Sequence, residues 1–183
     1  MVKQQNFIGG TNNLETIHSW YLDQRFLMSA LKQSVFSDGD LARLRSDKQR
    51  MLSRNELYEY FIGSEKELDY LFSFDMIAAI EGLLRTHFIQ KVHEREKSDL
   101  GREFRKIDKT KNQKISLEKD IIESWKRFRT DQKKHFSDLL GLLKYRHWLA
   151  HGRYWQPKLG RQYDVHITYS IAKNIFDIVR SHR

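Results

Sequence analysis

One proline, Pro157, and nine glycines are all that this chain of 183 residues offers to interrupt a helix. A fold built on tight turns needs more such residues at its corners, whereas Leu, Lys, Arg and Glu, abundant here, lose little side-chain freedom in a helix. The expected class is all-α, an antiparallel helical bundle. At 22.1 kDa the chain has the size of one domain, and 39% hydrophobic residues suffice to fill one core.

Apolar residues at helical spacing place the helices. Leu14, Ile17, Tyr21, Leu27 and Leu31 predict a first helix to about Ser34, with Asn12 or Asn13 as N-cap and Ser37-Asp38-Gly39-Asp40 as its stop. Residues 41–52 are basic and weakly amphipathic. Ser53 opens a short helix holding Leu57, Tyr60 and Phe61, which Gly63 closes. Ser64, followed three residues later by Glu67, reads as a capping box and starts the longest helix. There Leu68, Phe72, Met76, Ile80, Leu84, Phe88 and Val92 keep an apolar stripe to about His93, with Glu81 and Arg85 four residues apart beside it. A charged stretch over 94–114 interrupts. Ser116 opens a segment carrying Leu117, Ile121, Trp125 and Phe128, and a break near Thr130-Asp131 separates it from Phe136, Leu139, Leu143 and Ala150. Gly152 ends that helix on His151, and residues 152–162 form a loop. Ile167, Ile171, Ile175 and Val179 make a last helix capped by Asp164 or Thr168, with Val165 and Ile167 also compatible with a brief extended piece. The expected organisation is an N-terminal helical extension over 1–62 packed on a core bundle over 63–183, with four long helices from residue 64 onward.

The chain has no cysteine, which excludes disulfides and thiolate chemistry and fits a reducing compartment. Residues 1–6 lack an apolar signal core, and apolar runs such as 76–80 are too short to span a bilayer, so a cytoplasmic protein without a membrane partner is expected. Charge is divided unevenly. Residues 1–100 carry 13 Lys and Arg against 15 Asp and Glu, and residues 101–183 carry 20 against 9, so the excess behind the net +9 lies in the second half. Such a half suits a phosphate backbone through counterion release, or an anionic lipid surface, or simply solvent.

Within that half, residues 144–155 collect Arg146, His147, His151 and the aromatics Tyr145, Trp148, Tyr154 and Trp155 at one helix end. Phosphodiester cleavage has a use for each. Attack on phosphorus concentrates negative charge on nonbridging oxygens, which a guanidinium meets with a fixed fork of donors that never loses its proton; Arg146 suits that role. An imidazole exchanges protons near neutrality, so His151 can take one from a ribose 2′-hydroxyl or give one to the departing 5′-oxygen. On an ideal helix His147 lies about 40° from His151, and Arg146 roughly 140° from it. One chain therefore offers one arginine and one acid/base group, and a two-fold dimer that juxtaposes two helix ends supplies two of each. Lys144 and Arg153 are candidates for phosphate contacts, and Tyr154 and Trp155 for stacking on unpaired bases, while Trp148 reads as core.

Arg146, the polar His147 after it, and His151 ahead of Gly152 form an arrangement that resembles the R-x4-6-H signature of HEPN domains. The resemblance covers roughly residues 64–183. It implies a helical bundle in which the motif arginine and histidine of two protomers meet in a cleft at a homodimer interface. It further implies an RNA endonuclease that uses the ribose 2′-OH and leaves a 2′,3′-cyclic phosphate without metal or cofactor. Arg146 and His151 would then be catalytic, with His147 in support. A toxin or antiphage-defence effector, partnered by a cognate antitoxin or regulatory protein, is the implied setting. In HEPN toxins silenced by a nucleotidyltransferase, a tyrosine two residues after the histidine is modified; Arg153 holds that position here, and Tyr154 follows it.

Other readings of the same residues stay open. His147 equally fits a hydrogen-bonded core histidine. His147 and His151 have the spacing of two zinc ligands, as in a metal-dependent hydrolase, but no Glu follows His147 and further ligands would have to come from His87, His93 or Glu81. Residues 108–116 imitate an EF-hand loop, yet Gln113 replaces the turn glycine and Lys119 the bidentate Glu, so a solvated basic loop is expected. Without catalysis, the basic half makes a helical module that binds RNA, nucleotide or a protein partner. No Gly-rich phosphate loop, Ser-His-Asp set or carboxylate pair stands out.

Overall fold

The computed structural model describes residues 14–37, 45–111, 114–153 and 155–182, and every regular element among them is helical. Asn12, Asn13 and the stop at residues 38–40 lie outside these. α1 (Leu14–Phe36) ends where the guanidinium groups of Arg45 and Arg54 donate to the carbonyls of Val35 and Phe36, at 2.9 and 3.3 Å. These are cations placed at the carbonyl end of a helix. α2 (Asp47–Arg50) is a single turn held by a capping box of Ser46 and Gln49.

Ser53 starts the next helix as expected, but with a different consequence. Its hydroxyl takes the Glu56 amide while the Glu56 carboxylate takes the Ser53 amide at 2.8 Å, and α3 (Arg54–His93) then runs unbroken for 40 residues. The stop expected at Gly63 and the fresh capping box at Ser64 do not form. The Ser64 hydroxyl donates back to the Tyr60 carbonyl at 2.8 Å, the bond of a serine inside a helix, and Gly63 has no positive φ. The boundary placed between residues 62 and 63 thus falls within α3. Leu57 and Phe61, 3% and 1% exposed, bury themselves with Val35 of α1, so a bend at Gly63 would return that apolar surface to water.

Residues 94–114, expected only to interrupt, contain α4 (Asp99–Lys111). The helix is charged around most of its surface, and a thin stripe of Leu100, Phe104 and Ile107 is buried. Asp108 and Lys111 of the EF-hand-like stretch therefore belong to a helix and not to a loop. Ser116 caps the following element and accepts from the Lys119 amide. Its first turn, Leu117–Ile122, is π-helical: the amides of Asp120 and Ile121 both converge on the Ser116 carbonyl, at 3.1 and 3.3 Å. α5 (Glu123–Phe128) follows, then the expected break as a 3-10 turn, Thr130–Gln132. α6 (Lys133–Ala150) has His151 as its C-cap and Gly152 just beyond at φ +81°, the glycine position read from the sequence. α7 (Val165–Ser181) starts on Asp164, whose carboxylate accepts from the Ile167 amide at 2.7 Å; Val165 and Ile167 are helical, not extended.

Ring contacts give the helix directions. Tyr21 lies 4.4 Å from Phe72, and Phe36, further along α1, lies 6.1 Å from Phe61 on the earlier part of α3, so α1 and α3 are antiparallel. The end of α6 meets α3 at Tyr70 through Trp148. Its start, at Phe136, stacks on Trp125, which also touches His87 of α3 and His182 after α7. α6 is therefore antiparallel to both α3 and α7. Phe72, Met76, Ile80, Leu84, Trp125 and Phe136 are completely buried in the main core, where each contributes roughly 1.5–3 kcal/mol. Leu14, Ile17 and Tyr21 of α1 belong to this core as well. No helix among the described residues is long and apolar enough to cross a membrane.

His87 is 3% exposed between Trp125 and Phe104, and neither ring nitrogen has a hydrogen-bond partner. Burial, and then the positive charge of Lys91, lower its pKa to about 4; the His182 backbone eases the shift without reaching hydrogen-bond geometry. The unfolded chain regains an ordinary imidazole. Between pH ~6.5 and ~4 the unfolded state thus binds a proton that the folded state refuses, and stability falls as pH drops. Urea unfolding across that range should show a loss on the order of 2–3 kcal/mol that His87→Phe largely removes. Gly63 supplies a second check. Nothing lies within 4 Å of a Cβ built there, so Gly63→Ala should add about 0.5–1 kcal/mol in chemical denaturation. A helix ending on a left-handed Gly63 would lose stability instead.

Candidate functional site

Two of the predicted residues meet on one surface at the end of α6. His147 and His151, one turn apart, are both exposed, and their ring centroids lie 4.2 Å apart with a tilt of 51°. The His151 amide donates to the His147 carbonyl at 3.1 Å, so the helix keeps its form up to the second imidazole. Arg146 leaves from another side, as the helical period requires. Its guanidinium lies 5.3 Å over the Phe74 ring, and its Nε is 3.3 Å from the Glu81 carboxylate. That Nε is closed off from solvent and makes no hydrogen bond, so the contact with Glu81 is an ion pair without hydrogen-bond alignment.

Two open hollows flank His147. Arg146, Glu81 and Arg85 line one, of ≈270 Å³. Trp148, Trp155, Pro157 and Leu159 wall the other, of ≈260 Å³, and Lys144 and Lys158 carry its charge. Leu143, His147 and Glu118 line both. His147, expected in a supporting place, thus occupies the middle of the surface, and His151 lines neither hollow. Sequence reasoning did not single out Glu118. It comes from the π-helical turn after Ser116, and its only local signal is its place two residues beyond that cap.

The loop after α6 is tied to the bundle by aromatic and cationic contacts. Trp148 is partly buried against the core, as expected, and its Nε1 donates to the Trp155 carbonyl at 2.8 Å. Tyr145 stacks on Trp148 and on Tyr163, with centroids at 5.8 and 5.3 Å, and Gly141 leaves the room that the Tyr163 hydroxyl fills. Burial pushes the Tyr145 hydroxyl up to about 12 even though Ser73 bonds it, so it remains a neutral structural group. Arg153, at φ +58°, lies 4.6 Å over Tyr70 and donates to Glu67 at 2.8 Å; its guanidinium is engaged by the protein itself. Lys144 is exposed and Trp155 half-buried beside the hollow, while Tyr154 lies outside the described residues.

His87, weighed as a further metal ligand, sits in the core away from this surface. Among the described residues no group of three or more His, Cys, Asp or Glu is placed to hold a metal ion. Compared with known protein families, with characterised proteins and with solved structures, the chain matches none.

The Trp148 bond gives the site its own check. Trp148→Phe keeps an aromatic ring but removes the donor to Trp155, at a cost of about 0.5–1.5 kcal/mol. Hydrogen exchange read by mass spectrometry should speed up over 152–162 and stay unchanged in the middle of α3.

Proposed function

We propose that this chain is a metal-independent RNA endonuclease of HEPN type that works as a homodimer. One observation carries the reading: a permanently charged arginine and two exposed imidazoles come from one helix end, and the hollows that His147 lines also hold Arg85, Lys144 and Lys158. Arg146 meets the nonbridging oxygens of the scissile phosphate. A neutral histidine takes the proton of the ribose 2′-hydroxyl as its oxygen attacks phosphorus. The bond from phosphorus to the 5′-oxygen breaks, and an imidazolium gives that oxygen a proton. The products are a 2′,3′-cyclic phosphate and a 5′-hydroxyl. In-line displacement places base and acid on opposite sides of phosphorus, whereas the rings of His147 and His151, with centroids 4.2 Å apart, lie side by side. A two-fold contact between copies supplies the opposite pair, with His151 as the principal acid/base group and His147 in support. In this reading the chain serves as a toxin or antiphage-defence effector, restrained by an antitoxin or regulatory protein.

The ion pair of Arg146 with Glu81 favours a second reading, a non-catalytic module that binds RNA through the same face. One experiment separates them. Protein incubated with single-stranded RNA in EDTA should release fragments ending in cyclic phosphate, and Arg146→Ala and His151→Ala, folded by circular dichroism, should each lose about 100-fold or more in rate. Binding without cleavage supports the module. Cleavage that EDTA abolishes overturns the metal-free chemistry.

A further inference from the structure

The two hollows differ in chemistry although they share Leu143, His147 and Glu118. Two arginines and Glu81 line the first, while two tryptophans, a proline and a leucine wall the second. A nucleotide has the same division: a dianionic-to-anionic phosphate linked through a sugar to a flat base with apolar faces. At ≈260 Å³ the second hollow falls below the roughly 300–1,000 Å³ of pockets that take drug-sized ligands, a size suited to one base.

Among the described residues, Glu118 is the one carboxylate of the second hollow, and unlike Glu81 of the first it has no arginine partner there. A carboxylate between two cationic groups weakens the attraction for phosphate, so its presence is not explained by binding a polyanion. In the second hollow it is the one side chain that can only accept hydrogen bonds, whereas Lys144 and Lys158 can only donate. Trp155 and Glu118 line the same hollow, so a base that stacks on the first is within the space that the second bounds. Cytosine meets the carboxylate with the N4 amine. Uracil presents the O4 carbonyl at the same place, and the carboxylate repels its partial negative charge. The π-helical turn holds Glu118 through the Ser116 cap and the Lys111 ion pair with Asp120 at 2.5 Å, so the acceptor stands on an ordered element.

We propose that the hollow walled by Trp148 and Trp155 is a base-binding subsite and that Glu118 reads the base, selecting cytosine over uracil next to the phosphate at Arg146. The assignment rests on the RNA-binding part of the reading above, but not on cleavage. Decamers of 2′-O-methyl cytidine and 2′-O-methyl uridine have no 2′-hydroxyl to attack, so fluorescence anisotropy reports binding alone. Wild-type protein should bind the cytidine decamer at least about fivefold more tightly. Glu118→Gln, whose amide both donates and accepts, should bring the two within about twofold by weakening cytidine and sparing uridine. Trp155→Ala keeps the carbonyl that Trp148 needs and should weaken both decamers alike, by about fivefold or more.

Equal binding of the two decamers by wild type, or a preference unchanged in Glu118→Gln, overturns the subsite while leaving the nuclease reading in place. A preference that depends on Glu118, with no cleavage of unmodified oligocytidine in parallel, supports the subsite and overturns the nuclease. No binding of either decamer at low salt overturns both.

Discussion

The burial of one apolar stripe along α3 holds this bundle together. Leu68, Phe72, Met76, Ile80, Leu84 and Phe88 are buried at steps of four residues. Each such step advances about 40° around the helix, so the stripe turns by about 200° between its ends. A straight stripe would serve one partner. A turning one meets Tyr21 of α1 at Phe72 and Phe104 of α4 at Phe88, while α6 and α7 pack along the middle. The same helix runs unbroken past Gly63, where its first turns are packed on the end of α1 by Leu57 and Phe61.

α3 also positions the end of α6. Antiparallel packing sets Tyr70, Phe74 and Glu81 against that end, and each takes a group from it: Trp148 on Tyr70, and Arg146 on Phe74 and Glu81. A long side chain held on a ring and near a carboxylate keeps less rotamer freedom than one in open solvent. The loop beyond α6 is ordered from the same side, since Tyr70 also lies under Arg153 and Trp148 holds the Trp155 carbonyl. The histidines are the exposed members of the group, while Tyr70, Phe74 and Glu81 around them are half-buried.

How far each element was legible follows from the range of its signal. The C-terminus of α6 and the start of α7 were readable because Gly152 and Asp164 act on backbone groups within one turn. Ser53-x-x-Glu56 and Ser64-x-x-Glu67 look alike in the sequence, yet only the first is a cap. The difference lies in Val35, on another helix, which rewards keeping Leu57 and Phe61 on the same rod as Leu68. α4 was passed over because its apolar residues are few and its surface is charged; three side chains suffice once α3 and α5 cover them. Arg146, His147 and His151 were found by chemical type and spacing. Glu118 was not, since a lone exposed glutamate has no local mark, and its place beside His147 depends on a π-helical turn docked from a different part of the chain.

By itself, the sequence determined the class of the fold and the chemistry of the α6 end, because helix propensity, capping and the spacing of side chains on one helix are properties of neighbouring residues. Tertiary structure decided which carboxylate Arg146 faces, that α1 shares the main core, and that a hollow lined by arginines and glutamates and an aromatic hollow meet at His147. Those outcomes depend on contacts between residues far apart in the chain, such as Tyr21 with Asp69 and Arg153 with Glu67, 48 and 86 positions apart. Such contacts form only where the whole set of buried side chains can be satisfied at once, and no stretch of sequence carries that condition alone.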